Sequence, residues 1–138
     1  MIPVPEIETK SQEEIKYFQE ELLRKQLVYL KKNSPYYSRL FQKNKIEVNE
    51  IRTLEDLAKI PITTKDDLQR YNDEFLCIDR YRVADFVTTS GTSGDPVWIA
   101  LSDKDLNRLA YNEELSYQCA DLTHESIIQL TTTIDRRF

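Results

Sequence analysis

The stretch DFVTTSGTSGDPVWIALS, Asp85 to Ser102, contains both glycines of the chain, Gly91 and Gly94, three residues apart. Five hydroxyl side chains surround them: Thr88, Thr89, Ser90, Thr92 and Ser93. On either side stand short runs of strand formers, "ADFVTT" before and "PVWIAL" after, so the order is strand, loop, strand. Glycine is required where φ is positive or where something must come close to the backbone. Two glycines among small hydroxyl residues allow successive N–H groups to face one concavity, which suits an anion, and phosphate above all. The same residues also suit a β-hairpin turn, and on composition both readings stand. The loop is not a Walker A motif, which ends in Gly-Lys-[Ser/Thr] and opens directly into a helix. Here Gly94 is followed by Asp95, Pro96 and a strand.

Outward from the loop, Ser102 and Asp105 form a capping box that opens a helix to about Leu122. Leu106, Leu109, Ala110 and Tyr117 share one face, with Glu113 at the edge of that stripe. "SIIQLTTT", Ser126 to Thr133, reads as a last strand, and "EFLCI", Glu74 to Ile78, as an earlier one. Before Tyr71 the pattern is helical. Ile15, Phe18, Leu22 and Tyr29 recur at helical spacing over 12–32, and Leu23, Leu27 and Leu30 widen the stripe. Ser34 caps a second helix with Pro35 in its first turn, and Tyr36 or Tyr37 with Leu40 and Phe41 form its buried side. Thr53 with Asp56 and Thr64 with Asp67 are further capping boxes, and Pro61 between them forbids one continuous helix. Residues 1–70 are thus expected to be an N-terminal helical segment. Residues 71–138 are expected to be a partial α/β segment with the loop at 88–96, and both to belong to one incomplete larger domain.

The 138 residues are 40% hydrophobic and 31% charged with net charge −5, a globular composition with no basic patch, so no nucleic-acid partner is expected. No apolar run approaches the roughly 20 residues of a membrane helix, so no membrane association is expected. "MIPVPEIETK" has neither the charged n-region nor the apolar core of a signal peptide. Cys77 and Cys119 lack metal-ligand spacing and read as reduced thiols of a cytoplasmic protein. His124 stands alone, so no metal site is expected. No nucleophile–base pair is apparent, so no catalytic residue is assigned within the chain.

Four landmarks in order, "SPYYSRLF", "TLEDLAKIPITTKDDL", "TTSGTSGDPV" and "SDKDL", resemble the N-terminal part of phenylacetate–CoA ligase-like enzymes of the adenylate-forming superfamily. The resemblance runs from about residue 12 to 122. It implies an α/β fold with α+β character: a helical N-terminal half followed by part of the sheet-and-helix N-terminal domain of an adenylate-forming enzyme, truncated. It also implies ATP with Mg2+, a small-molecule carboxylate that attacks the α-phosphate, and transfer of the acyl group from the adenylate to coenzyme A. Thr89, Ser90, Gly91, Thr92, Ser93 and Gly94 would hold the β- and γ-phosphates. Ser90, Thr92 and Ser93 would supply hydroxyls, and the glycines close backbone approach.

The departures are specific. Asp95 stands where phenylacetate ligases commonly carry lysine, and Val97 where other branches place one. A carboxylate beside a triphosphate repels it by about 1 kcal/mol per charge pair at 4 Å in water. Asp95 therefore caps the turn before Pro96, touches a metal ion, or marks a degenerate loop. By the same resemblance the adenine segment, the ribose-binding aspartate and the lid with its catalytic lysine would lie beyond Phe138. The chain alone is then expected to be an inactive N-terminal part that needs the missing C-terminal part of the enzyme or self-association. A non-catalytic remnant or interaction module is one alternative, and an adenylating enzyme with an acceptor other than coenzyme A is another.

Overall fold

The structure, a computed structural model, describes residues 5–89, 96–129 and 131. The chain divides into two compact units, one over residues 4–79 and one from residue 80 onward.

The first unit is built on α1, Gln12–Asn33. Ser11 opens it by a reciprocal box: its hydroxyl accepts from the Glu14 N–H, and the Glu14 carboxylate accepts from the Ser11 N–H at 2.9 Å. Ser34 closes α1 and opens α2, Pro35–Lys43. Pro35 holds Ser34 in extended conformation (φ −100°, ψ 116°), which ends the helix. Ser34 is 1% exposed, yet each polar group is used. Its N–H donates to the Leu30 carbonyl, while its hydroxyl accepts from the Tyr37 N–H and donates to the Glu74 carbonyl at 2.9 Å. One serine thus joins two helices and the 3-10 turn Asn72–Phe75.

The core lies between these helices: Leu27, Phe41, Val48 and Ile51 are buried, with Leu23, Leu30, Tyr37, Leu40, Ile46 and Ile60 packed against them. On α1 the deeply buried row is therefore the Leu23–Leu27–Leu30 set. Phe18, Leu22 and Tyr29 of the other row stay 41–47% exposed. The reason is that α2 and the turn Val48–Glu50 lie against one face only. On α2, Tyr36 and Phe41 are the buried pair. Tyr36 stacks on Phe75 with centroids 4.0 Å apart, Tyr37 meets Phe75 edge-on, and the Arg39 guanidinium lies 4.9 Å from the Tyr71 ring while pairing with Glu74. Glu74–Ile78 is accordingly not a strand. Phe75 is drawn into this aromatic cluster from a 3-10 turn, and among the described residues no strand pairs with it.

The capping boxes at Thr53 and Thr64 also form. Thr64 and Asp67 open α3, Lys65–Arg70. Thr53 and Asp56 exchange the same bonds, but the element they open is the 3-10 stretch Glu55–Lys59, because Ile60 before Pro61 must be extended. The Lys59 ammonium, then the N–H groups of Arg52 and Thr53, hold the Asp56 carboxyl well below the usual carboxylate range. The Thr64 hydroxyl and N–H lower Asp67 in the same way. A folded-state pKa below the unfolded value stabilises the fold above the unfolded value, about 3.9, and that contribution is lost as pH falls through the folded value. The thermal midpoint of this unit should therefore fall as pH is lowered below about 4, and keep falling as the two carboxylates take up protons. The Asp56→Asn,Asp67→Asn double variant should have a lower midpoint at pH 7 and a flatter acid slope. An unchanged slope would contradict the assignment.

The second unit carries β1, Asp85–Thr88, β2, Trp98–Leu101, and α4, Asp103–Cys119. The strands are antiparallel, with Asp85 opposite Leu101 and Thr88 opposite Trp98. Alternation puts Phe86, Thr88, Trp98 and Ala100 on one face and Val87, Ile99 and Leu101 on the other. Apolar residues on both faces are the pattern of strands covered on two sides. Phe86, Val87, Trp98 and Ile99 are 37–55% exposed. Ser102 and Asp105 cap α4 reciprocally, as their spacing predicts. The helix ends at Cys119, and its less exposed side is Leu106, Tyr111, Glu114, Leu115 and Gln118. Leu109 and Tyr117 are 40–48% exposed and Glu113 is exposed. Residues 126–129 are not a strand. Thr123 and Ser126 close a turn there instead, and the rest of that stretch lies outside the described residues apart from Thr131.

Candidate functional site

The glycine loop joins β1 to β2 at the end of the ribbon away from α4. The ladder continues one step past the strands: the Thr89 N–H donates to the Val97 carbonyl at 3.1 Å, and the Val97 N–H donates to the Thr89 hydroxyl oxygen at 3.1 Å. Thr89 and Val97 thus clasp the two ends of the loop. Val97 is 3% exposed, so its N–H depends on that hydroxyl. A hydroxyl that accepts one bond retains its own proton as a donor, and Thr89 is exposed. Of the residues assigned to phosphate, Thr89 is placed. Ser90, Gly91, Thr92, Ser93 and Gly94 lie outside the described residues, as does Asp95.

Val97 and Ser102 are five residues apart along β2, roughly 17 Å at the rise of a strand. A Walker A loop, by contrast, runs directly into its helix.

Lys45 and Asp121 have positive φ, 54° and 58°. Each follows a helix whose end is closed by a pair of bonds: Ile46 N–H to Phe41 carbonyl with Lys45 N–H to Gln42 carbonyl, and Leu122 N–H to Tyr117 carbonyl with Asp121 N–H to Gln118 carbonyl. Glycine is the residue best suited to that position. The chain does without it at both helix ends and has it only in the 91–94 loop.

The remaining candidates are dispersed. Cys77 and Cys119 are free thiols, half-buried and exposed respectively, and burial pushes the Cys77 thiol up. His124 is exposed, with Nε2 3.9 Å from a Glu114 carboxylate oxygen. Among the described residues no group of three or more His, Cys, Asp or Glu could hold a metal ion. No helix among them is long and apolar enough to cross a membrane.

No protein-family model matches the chain. Individual relatives do. The chain is 34% identical over 111 residues to a phenylacetate–coenzyme A ligase of Thermus thermophilus, which takes in 80% of this chain and 25% of that protein. To the corresponding ligases of Aromatoleum evansii and Escherichia coli it is 32% and 31% identical over 105 residues, 75% of this chain and 24% of theirs.

The chain is similar to part of the phenylacetate–CoA ligases.

It spans about a quarter of the length of the curated relatives it matches. The fold agrees. An open conformation of 2-hydroxyisobutyryl-CoA ligase, in complex with 2-HIB-AMP and CoA, superposes with a TM-score of 0.71 at 19% identity, over 81% of this chain and 29% of that one. The same ligase in its thioesterification state gives 0.69 at 22% identity over 75% and 23%. The chain thus shares the fold of part of that ligase. Sequence alone missed the Thr89–Val97 clasp. A β-branched threonine directly before the loop, opposite the first β-branched residue after Pro96, is the signal that marks it.

Proposed function

We propose that this chain supplies the triphosphate-binding loop of an ATP-dependent, AMP-forming acid–CoA ligase and is not catalytic alone. The observation that carries the reading is the placement of both glycines in a loop clasped by Thr89 and Val97, when two positive-φ helix ends lack glycine. The Thr89 hydroxyl fits a phosphate oxygen, since its proton is left to donate. Ser90 to Gly94 would add hydroxyl and backbone donors that fix the β- and γ-phosphates, and positioning of this kind carries much of phosphoryl chemistry. ATP brings the leaving pyrophosphate, Mg2+ would enter with the nucleotide, and coenzyme A would accept the acyl group. The acid would contact segments outside this chain.

The reading frame carrying this segment, expressed complete, should exchange pyrophosphate into ATP in the presence of at least one acid from a panel of aryl and short-chain carboxylates. The 138-residue chain alone should show no micromolar ATP affinity by calorimetry. Absence of exchange with every acid would overturn the proposal. Asp95 favours a second reading, a loop that keeps its shape and has lost the nucleotide. Asp95→Lys separates the two, because it raises activity in a working enzyme and leaves a remnant silent.

A further inference from the structure

Helix α1 carries more apolar surface than its own unit covers. Leu23, Leu27 and Leu30 face the core. Ile15, Phe18, Leu22 and Tyr29 follow one another at spacings of three, four and seven on a different face. Phe18, Leu22 and Tyr29 are 41%, 47% and 41% exposed, and Tyr17 and Val28 beside them 63% and 52%. Lys25, between Leu22 and Tyr29, and Lys32, beyond Tyr29, complete the three-and-four spacing of a helix-pair seam.

The charges on α1 say what kind of helix fits against it. Its first half holds Glu13, Glu14, Glu20 and Glu21 against Lys16, and its second half Arg24, Lys25, Lys31 and Lys32 with no acid. The helix dipole accounts for Glu13, Glu14, Lys31 and Lys32, because its influence is confined to the end turns. Glu20 accepts from the Leu54 N–H, and Arg24 donates to the Arg52 carbonyl, so both serve the unit's own packing. Glu21 sits in mid-helix beside the apolar row and Lys25 within its spacing, and they serve neither purpose. An antiparallel copy of the same helix, related by a two-fold axis near residue 23, sets residues whose numbers sum to about 46 opposite one another. Glu14 then meets Lys32 of the second copy, Glu21 meets its Lys25, and Phe18 meets its Val28. A parallel copy would set like charge against like.

We propose that this protein self-associates through α1 as an antiparallel, two-fold pair. The pair buries the Phe18–Leu22–Tyr29 row, with Glu21 and Lys25 of both copies forming an alternating ring of four charges at the axis. The α1 helix, 22 residues and roughly 33 Å long, gives this seam its length.

Sedimentation equilibrium on the intact 138-residue chain tests the pairing. The wild-type chain should show a monomer–dimer equilibrium that weakens in high salt. Lys25→Glu alone and Glu21→Lys alone each gather four like charges at the axis. Each should weaken dimerisation at least about tenfold while leaving the far-ultraviolet circular dichroism unchanged. Mixing the two single variants, or combining both changes in one chain, should restore it. A chain that is monomeric throughout, or a dimer indifferent to both reversals, would overturn the proposal. So would a complete ligase in which another segment of its own chain covers α1.

Discussion

Replacing Phe41 by alanine is expected to cost the helical unit about 3–5 kcal/mol, most of the stability a unit of this size has. Phe41 is 1% exposed and is enclosed by Leu27, Val48 and Ile51. Its carbonyl also accepts the Ile46 N–H that closes α2, so a collapse around the cavity would disturb the turn that brings Ile46 to the core. Urea unfolding followed by circular dichroism in the tyrosine and helix bands measures the loss. Trp98, the one tryptophan, lies in the other unit, so its fluorescence separates the two transitions. Phe41→Leu, which keeps most of the volume, should cost much less. A shift below about 1 kcal/mol for Phe41→Ala would mean that the core is not centred on this ring.

Thr89→Val is expected to open the loop end of the ribbon. The substitution preserves shape but leaves the Val97 N–H without its acceptor in a buried position, at a cost of about 1–3 kcal/mol. A two-stranded ribbon is marginal to begin with, so this is enough to separate the strand ends. Val97 amide exchange should accelerate at least about tenfold, while Thr89→Ser, which retains the hydroxyl, stays near the wild-type rate. In the complete ligase the same pair should split by KM for ATP, raised at least about tenfold in the valine variant and near normal in the serine variant. Equal behaviour of the two variants would remove Thr89 from the site.

Local chemistry made much of this structure legible in advance. Ser34-Pro35, Thr64–Asp67 and Ser102–Asp105 announce helix starts because the bonds they make lie within four residues. The Ser11–Glu14 box carries the same signal within four residues. What escaped was decided at long range. Phe75 reads as a strand residue by propensity, but stacking on Tyr36, 39 positions away in the chain, places it in a 3-10 turn. The two apolar rows of α1 are indistinguishable by period, and only the position of α2 selects Leu27 over Leu22. At the loop, glycine content and landmark order pointed to phosphate. The clasp could not be read in that way, because the Thr89 hydroxyl finds its donor eight residues on, across the hairpin.

The central claim, that the 89–94 loop holds a triphosphate, is tested most directly by ATP–pyrophosphate exchange in the complete protein with Gly94→Val beside the wild type. A Cβ and two methyl groups where the backbone must approach phosphate should lower exchange by at least about 100-fold, with circular dichroism unchanged. Exchange that proceeds equally well in the valine variant would contradict the assignment of this loop.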